Sequence, residues 1–204
     1  MLRSFPEAVP TPDSKGVAGK FNFQFTSDDR LRPLPHKLLL ALGQNESVRH
    51  IALKLLAYLL FYRDRLQVET EVPDEGIPFV PDLVELGYDL RPRLWIECGD
   101  CGTGKLHKLT TKCSETEIWC LKRSLSEADG LLRNLTKDEV RRGRIGVIAF
   151  ETDFFEDLCR TIQERNQLHW YRGGFAGENG LEAPGMQFEL NELWFESSFR
   201  VQKH

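Results

Sequence analysis

The stretch FVPDLVELGYDLRPRLWIEC, residues 79–98, predicts two β-strands joined by a turn. Pro81 lies near the start of the first strand, 79–86, where its missing N–H is tolerable. A glycine at position 87 begins a short polar segment that can turn the chain. The second strand, 93–98, is apolar on both faces through Leu-Trp-Ile, which predicts a central position in the sheet.

Outward from this hairpin, strand and helix patterns follow one another. Phenylalanine alternates with polar residues over 20–25, which is typical of a half-buried strand. The segment after it, with Pro33 and Pro35, reads as a loop, and a core helix is expected to begin at Glu46. Further strands are predicted at 65–71, 117–122 and 144–150, helices at 105–113, 125–135 and 153–164, and three short strands within 168–201. This order predicts an α/β fold with a mixed sheet.

Length and composition indicate one soluble domain. Residues 1–19 are rich in Pro, Gly and polar residues and predict a flexible tail, leaving 20–204 as a single domain. The longest apolar run, 51–62, is interrupted by Lys54 and is shorter than the roughly 20 residues that span a bilayer. Five cysteines without an export signal favour reduced thiols. We therefore expect a cytoplasmic protein without a membrane segment.

Charge is unevenly distributed along the chain. The net charge is −4, but residues 103–144 hold ten Lys and Arg against six Asp and Glu, a net of +4. A local basic segment can attract phosphate groups, so this segment is a candidate nucleic-acid contact. The other interpretation is a solvated helical face.

Three carboxylates occur where burial is expected. Glu46 opens the core helix, Asp82 follows Pro81, and Glu97 ends the apolar second strand. Buried carboxylates are costly unless they are paired, hydrogen-bonded or bound to a metal ion. Together the three predict a Mg²⁺ site that could support phosphodiester cleavage. Taken singly, each also fits a helix end, a turn or a strand end.

Lysines follow the second strand. Lys105, Lys108 and Lys112 share one face of the helix predicted there, so one of them could reach a metal-bound water. The loop GDCGTGK, 99–105, has the glycine and lysine spacing of a P-loop. Leu106 stands where a P-loop carries Ser or Thr, so a nucleotide-binding P-loop is the least favoured interpretation.

Three segments in this order resemble the YaeQ family. They are Glu46 with the Leu-Leu-Ala-Tyr that follows at 55–58, the Val-Pro-Asp ending at Asp82, and Leu-Trp-Ile-Glu-Cys-Gly over 94–99. The match covers about residues 20–125, and the family resembles variants of the PD-(D/E)XK restriction-endonuclease fold. The resemblance implies a three-layer α/β/α core with a mixed central sheet, extended here by C-terminal strands.

The resemblance also implies roles for individual residues. Glu46, Asp82, Glu97 and the Cys98 carbonyl would hold Mg²⁺ or Mn²⁺. Lys108 would take the place of the family's lysine, because Gly99 stands two residues after the strand glutamate.

The function expected from this resemblance is Mg²⁺-dependent cleavage of nucleic acid, with Lys108, Glu97 and Asp82 as catalytic residues. The alternative is a non-catalytic member of the fold that binds nucleic acid or protein. A P-loop-like nucleotide binder is the third choice.

Overall fold

The first strand follows from the alternation of phenylalanine with polar residues. The computed structural model describes residues 17–29, 33–178 and 180–204. Strand β1, Val17–Ser27, buries Phe21, Phe23 and Phe25 and turns its polar residues outward. It begins three residues earlier than expected, so part of the predicted tail 1–19 belongs to the sheet. The rest of that tail, 1–16, lies outside the described residues.

Within the described ranges the chain forms ten strands and four helices. The other strands are β2 Lys37–Gly43, β3 Leu66–Val68, β4 Leu83–Leu86, β5 Pro92–Cys98, β6 Glu117–Lys122, β7 Ile145–Phe150, β8 Arg165–Gly174, β9 Gly185–Leu190 and β10 Leu193–Lys203. The helices are α1 Val48–Phe61, α2 Thr103–Lys112, α3 Leu125–Lys137 and α4 Thr152–Thr161. No helix among these described residues is long and apolar enough to cross a membrane.

All ten strands join one mixed sheet in the order β2-β1-β8-β9-β10-β7-β6-β5-β4-β3. The β1–β8, β5–β6 and β6–β7 pairs are parallel and the remaining pairs are antiparallel. The predicted mixed α/β fold and the extra C-terminal strands are confirmed. The apolar strand β5 lies between β4 and β6, as its sequence indicated.

Helix α1 lies at the centre of the core. Every residue from Ile51 to Phe61 is buried, including Lys54. An all-round buried helix needs apolar partners on several sides. It contacts β2, the first strand of the sheet order, and also β4, β5 and β6 near the other end. The sheet must therefore curve around α1, which brings the start of this helix close to the ends of β4 and β5.

Helices cover both faces of β5, β6 and β7. Helix α1 lies on the inner face, and α4 contributes Phe155 and Leu158 to the same core. Helices α2 and α3 pack on the outer face and form a second core around Trp95, together with residues of β4, β6 and β7. Most pairs of strands in the sheet are nevertheless antiparallel.

Strand β2 was not predicted from the sequence. The segment after Pro35 reads as a loop, but Lys37–Gly43 pairs with β1 at the edge of the sheet. Its run of leucines lacks the polar alternation of a surface strand, although Leu38 and Leu40 are buried and Leu39 is exposed. Helix α1 likewise begins at Val48, after Ser47 at the N-cap, and not at Glu46.

Candidate metal centre

The curvature of the sheet brings Glu46 and Asp82 together at one end of α1. Glu46 lies just before the helix, and its Oε2 accepts a hydrogen bond of 2.8 Å from the Gly43 N–H. Asp82 lies just before β4, and its Oδ2 accepts a hydrogen bond of 2.6 Å from the Cys98 N–H. A backbone N–H therefore holds one oxygen of each carboxylate in place. The second oxygen of each carboxylate is left for other partners.

His50 lies between these two carboxylates. Its Nε2 is 2.7 Å from Asp82 Oδ1 and 3.2 Å from Glu46 Oε1. One ligand atom from each of the three residues lies within 4.8 Å of the other two. All three side chains are partly exposed, which leaves the cluster accessible from solvent. Two carboxylates and an imidazole at this spacing form a donor set that could hold a divalent cation.

A fully buried lysine forms ion pairs with the carboxylates of the cluster. Lys54 Nζ donates to Glu46 Oε1 at 2.9 Å and to Glu69, and it lies 4.0 Å from Asp82 Oδ1. Glu69 has a left-handed backbone, with φ of 47°, a conformation that costs non-glycine residues about 1 kcal/mol or more. This backbone places the carboxylate of Glu69 on Lys54, while its N–H donates to the Asp82 carbonyl.

The contacts between these groups change their pKa values. Burial alone would raise the pKa of Glu46, but the Gly43 N–H and the Lys54 ammonium lower it below its usual value. Burial alone would lower the pKa of Lys54, but its hydrogen bonds to Glu69 and Glu46 raise it. Lys54 is therefore charged and Glu46 ionised at neutral pH.

Glu97 has different partners, all on the outer face of the sheet. Its Oε1 accepts a hydrogen bond of 2.5 Å from Trp95 Nε1 and lies 2.6 Å from Lys105 Nζ. Burial raises the pKa of Glu97, and the charge of Lys105 offsets part of that rise. Within the described chain, Glu97 does not join the compact group of Glu46, His50 and Asp82.

Lys105, and not Lys108, is the lysine that contacts Glu97. Both ammonium groups lie 5.5 Å from the centre of the Phe79 ring, and Lys105 Nζ also lies 5.8 Å from the centre of the Trp95 ring. Lys108 stays the catalytic lysine predicted from the sequence, and the contact with Glu97 makes Lys105 a second candidate. On a helix the side chain leans toward the N-terminus, so Lys105, in the first turn of α2, reaches back to the end of β5.

The basic residues of 103–144 do not form one surface. Lys105, Lys122 and Arg123 lie near the carboxyl ends of β5 and β6. Arg144 lies at the opposite end of the sheet, where it donates to the carbonyls of Cys113 and Thr116. Only part of the basic segment therefore lies on the side of the carboxylates.

A pocket of about 270 Å³ opens over Glu46 and His50. Arg49 and Arg123 line it, together with the chain around Cys98 and Gly99. Arg49 pairs with Glu156 at 2.9 Å and Arg123 with Glu127 at 2.7 Å. Cavities of about 560 and 1070 Å³ lie elsewhere, but neither is lined by the histidine–carboxylate group, so side-chain chemistry and not size identifies this site.

Sequence reasoning missed His50, Lys54 and Glu69. His50 lies four residues after Glu46, and Lys54 lies eight residues after Glu46. Helical spacing could therefore have placed both on the same side of the helix as Glu46. A lysine inside the apolar run 51–62 was also a signal, because a buried ammonium needs anionic partners. Nothing local indicates that Glu69 would meet Lys54.

The fold and the site define a mixed α/β protein with a histidine–carboxylate cluster where the central helix meets the sheet. Residues 15–171 match the family model described as YaeQ protein, and the chain belongs to the YaeQ family.

Two solved structures are similar over nearly the whole chain. The YaeQ protein from Xanthomonas axonopodis pv. citri has a TM-score of 0.67 at 19% identity, covering 90% of this chain and 96% of that one. The YaeQ protein from Pseudomonas syringae has a TM-score of 0.66 at 20% identity, covering 91% and 95%. At this identity the likeness shows the fold alone. The comparison with curated proteins gives no match.

Proposed function

We propose that this YaeQ-family chain is a divalent-metal-dependent phosphodiesterase that cleaves nucleic acid, with Glu46, His50 and Asp82 as metal ligands. The observation that carries the proposal is the approach of one ligand atom from each of these residues to within 4.8 Å of the others. Glu46 and His50 are four residues apart around the start of α1, whereas Asp82 comes from the segment before β4, so only the fold brings Asp82 to the other two.

The charges around the cluster favour a dication. Glu46, Asp82 and Glu69 carry three negative charges, and the buried Lys54 supplies one positive charge. These four side chains together carry a formal net charge of −2. A divalent cation would neutralise that charge and relieve the repulsion between Glu46 and Asp82.

The donor set favours Mn²⁺ over Mg²⁺. Magnesium prefers oxygen ligands in octahedral geometry and retains several waters, whereas imidazole suits transition metals. Two carboxylates and one imidazole combine both kinds of donor, and Mn²⁺ accepts both. Glu97 and the Cys98 carbonyl stay predicted ligands, and Glu97 would have to exchange its contact with Lys105 to join them.

A bound cation supplies an activated water and stabilises charge on the phosphate. The chain's own cations would act beside it. Arg49 and Arg123 line the pocket and could each form a bidentate contact with a phosphate. Lys105 holds a positive charge at Glu97, where it can help orient a water or offset charge on the substrate.

The second candidate is a non-catalytic member of the family that binds a nucleic-acid or protein partner. It is favoured by the pairing of Arg49, Arg123 and Lys105 with carboxylates, since a paired cation has less to offer a phosphate. The PD-(D/E)XK core implied by the resemblance is part of the proposal as well, and helices on both faces of β5 to β7 are consistent with it.

Cleavage assays on single- and double-stranded DNA and RNA, with Mg²⁺ or Mn²⁺, test the proposal. We expect Mn²⁺-dependent cleavage that Asp82→Asn abolishes and that Glu182→Gln, at an exposed carboxylate outside the site, leaves unchanged. Cleavage that survives Asp82→Asn would contradict this metal centre. No cleavage under any condition, together with retained metal binding, would favour the non-catalytic candidate.

A further inference from the structure

A pair of thiols lies on the outer face of the sheet, separate from the histidine–carboxylate cluster. Cys101 is in the short loop between β5 and α2, and Cys120 is in β6. Their Sγ atoms are 3.7 Å apart, and both cysteines are free. The sulfurs need to approach only to about 2.05 Å to form a disulfide.

A buried ammonium accompanies this pair. Lys122 is 4% exposed, and its Nζ donates to the Gly99 carbonyl and lies 3.9 Å from Cys101 Sγ. Among the residues that the structure describes, no carboxylate oxygen lies within 4.0 Å of this Nζ. Because a buried charge needs a counter-charge, a thiolate at Cys101 is the nearby anion that could supply it.

The two sulfurs differ in their surroundings. Cys101 is partly exposed and lines a pocket of about 480 Å³ with Lys122, whereas Cys120 is fully buried. The hydrogen bond between Cys101 and Cys120 and the charge of Lys122 outweigh burial and lower the pKa of Cys101. The hydrogen bond to Cys101 and burial raise the pKa of Cys120 well above its usual value. One thiol is therefore partly exposed with a lowered pKa, and its neighbour is buried with a raised pKa.

We propose that Cys101 and Cys120 form a peroxide-reactive dithiol, in which Cys101 is the attacking thiolate and Cys120 the resolving thiol. The Cys101 sulfur attacks one oxygen of hydrogen peroxide, the O–O bond breaks, and the departing hydroxide takes a proton to become water. The Cys120 sulfur then attacks the resulting sulfenic acid, forms the S–S bond and releases a second water. Two thiols lose two electrons in total, and one peroxide is reduced to two waters.

The loop can supply the movement that this bond requires. Gly99 has a left-handed φ of 79°, and a Cβ at Gly102 would meet no atom within 4 Å. The loop from 99 to 102 therefore has a glycine at each end and little packing around the second one. A disulfide at this place would tie the segment between Glu97 and Lys105 to β6.

Cys159 provides a matched control in the same molecule. It is partly exposed, as Cys101 is, but burial and the charge of Glu156 raise its pKa to about 11. Alkylation of the full-length protein at neutral pH, followed by peptide mass mapping, should modify Cys101 at least about tenfold faster than Cys159. The Lys122→Met variant should shift the pH midpoint of Cys101 alkylation upward.

Oxidation with stoichiometric hydrogen peroxide gives the decisive result. We expect the wild type to lose two of its five thiols and to yield a Cys101–Cys120 cross-linked peptide. Cys120→Ser should stop at a Cys101 sulfenic acid trapped by a 1,3-dione probe, and Cys101→Ser should not react at the same rate. Thermal unfolding of each variant checks that it is folded. If the Lys122→Met protein is not folded, the relative alkylation rates of Cys101 and Cys159 in the wild type test the proposal. Equal reactivity of Cys159 and Cys101, or no cross-link, would overturn the proposal.

Discussion

His50 Nε2 lies 2.7 Å from Asp82 Oδ1, although 32 residues separate the two along the chain. The contact joins the central helix to the segment that enters β4. It exists because the sheet curves around α1 and brings the first turn of the helix against the ends of β4 and β5. Glu46, four residues before His50, lies beside this pair through local spacing, so the candidate metal centre depends on the global fold for its contact with Asp82.

Replacement of Lys54 by methionine tests the charge balance of the site. Methionine keeps the length of the side chain but removes the ammonium that faces Glu46, Glu69 and Asp82. Removing one partner from a buried ion pair typically costs about 3–5 kcal/mol, so the free energy of unfolding of Lys54→Met should fall by about that much. Urea denaturation without metal measures it.

The control for this change is Lys137→Met, at an exposed position in the last turn of α3. A surface substitution of this kind should stay within about 0.5 kcal/mol of the wild type. Equal stability of the Lys54→Met protein and the control would show that the carboxylates do not need the ammonium.

The choice between Lys105 and Lys108 can be tested on Glu97. Because the charge of Lys105 partly offsets the raised pKa of Glu97, Lys105→Met should raise that pKa further. Lys108→Met should leave it unchanged, because Glu97 pairs with Lys105 and not with Lys108. NMR titration of the Glu97 side-chain carboxyl measures both. In a cleavage assay, Lys105→Met should lose about 100-fold or more. A larger effect of Lys108→Met in either measurement would support the assignment made from the sequence.

Much of this fold could be predicted because its signals are local. The apolar strand β5 and the alternating strand β1 show their burial in their own residues. Strand β2 could not be recognised, because its run of leucines becomes a strand only through pairing with β1.

The residues of the candidate site also fall into those that local sequence signals indicate and those that they do not. Glu46 and Asp82 stood out as carboxylates in apolar surroundings. His50, Lys54 and Glu69 were missed because their roles depend on contacts between distant segments. Lys105 was placed second to Lys108 because family spacing does not specify in which direction a helical side chain points.

Glu97 and Glu46 are expected to change the free energy of unfolding with pH in opposite directions. Burial gives Glu97 a pKa above its usual 4.5, so the folded protein holds this proton more tightly and Glu97 reduces stability as the pH rises above about 4.5. Glu97→Gln should remove that loss and make metal-free protein relatively more stable at pH 7 than at pH 4. Glu46, whose pKa is lowered, stabilises the fold above about 4.5, and Glu46→Gln should have the reverse effect. Urea denaturation at pH 4 and pH 7 measures this pH dependence of the free energy of unfolding. A change in the same direction for both variants, relative to the wild type, would contradict the expectation.

Gly146 is a test of the fold at the other end of the sheet. A Cβ at Gly146 would lie 2.3 Å from Cε3 of Trp119, which packs over the glycine. Gly146→Ala should therefore lower the free energy of unfolding by about 1–3 kcal/mol. The matched control is Gly104→Ala in α2, where a Cβ meets no atom within 4 Å and helix propensity favours alanine. Thermal unfolding that ranks Gly146→Ala as equal to or more stable than Gly104→Ala would show that Trp119 does not occupy this position.

The most direct test of the metal centre is calorimetric titration of the full-length protein with Mn²⁺. We predict one equivalent bound by the wild type, and affinity at least about tenfold weaker in Asp82→Asn and in His50→Gln, because each variant loses one ligand. Glu182→Gln should bind as the wild type does. An absence of binding, or equal binding by the Asp82→Asn protein and the wild type, would contradict a metal centre formed by Glu46, His50 and Asp82.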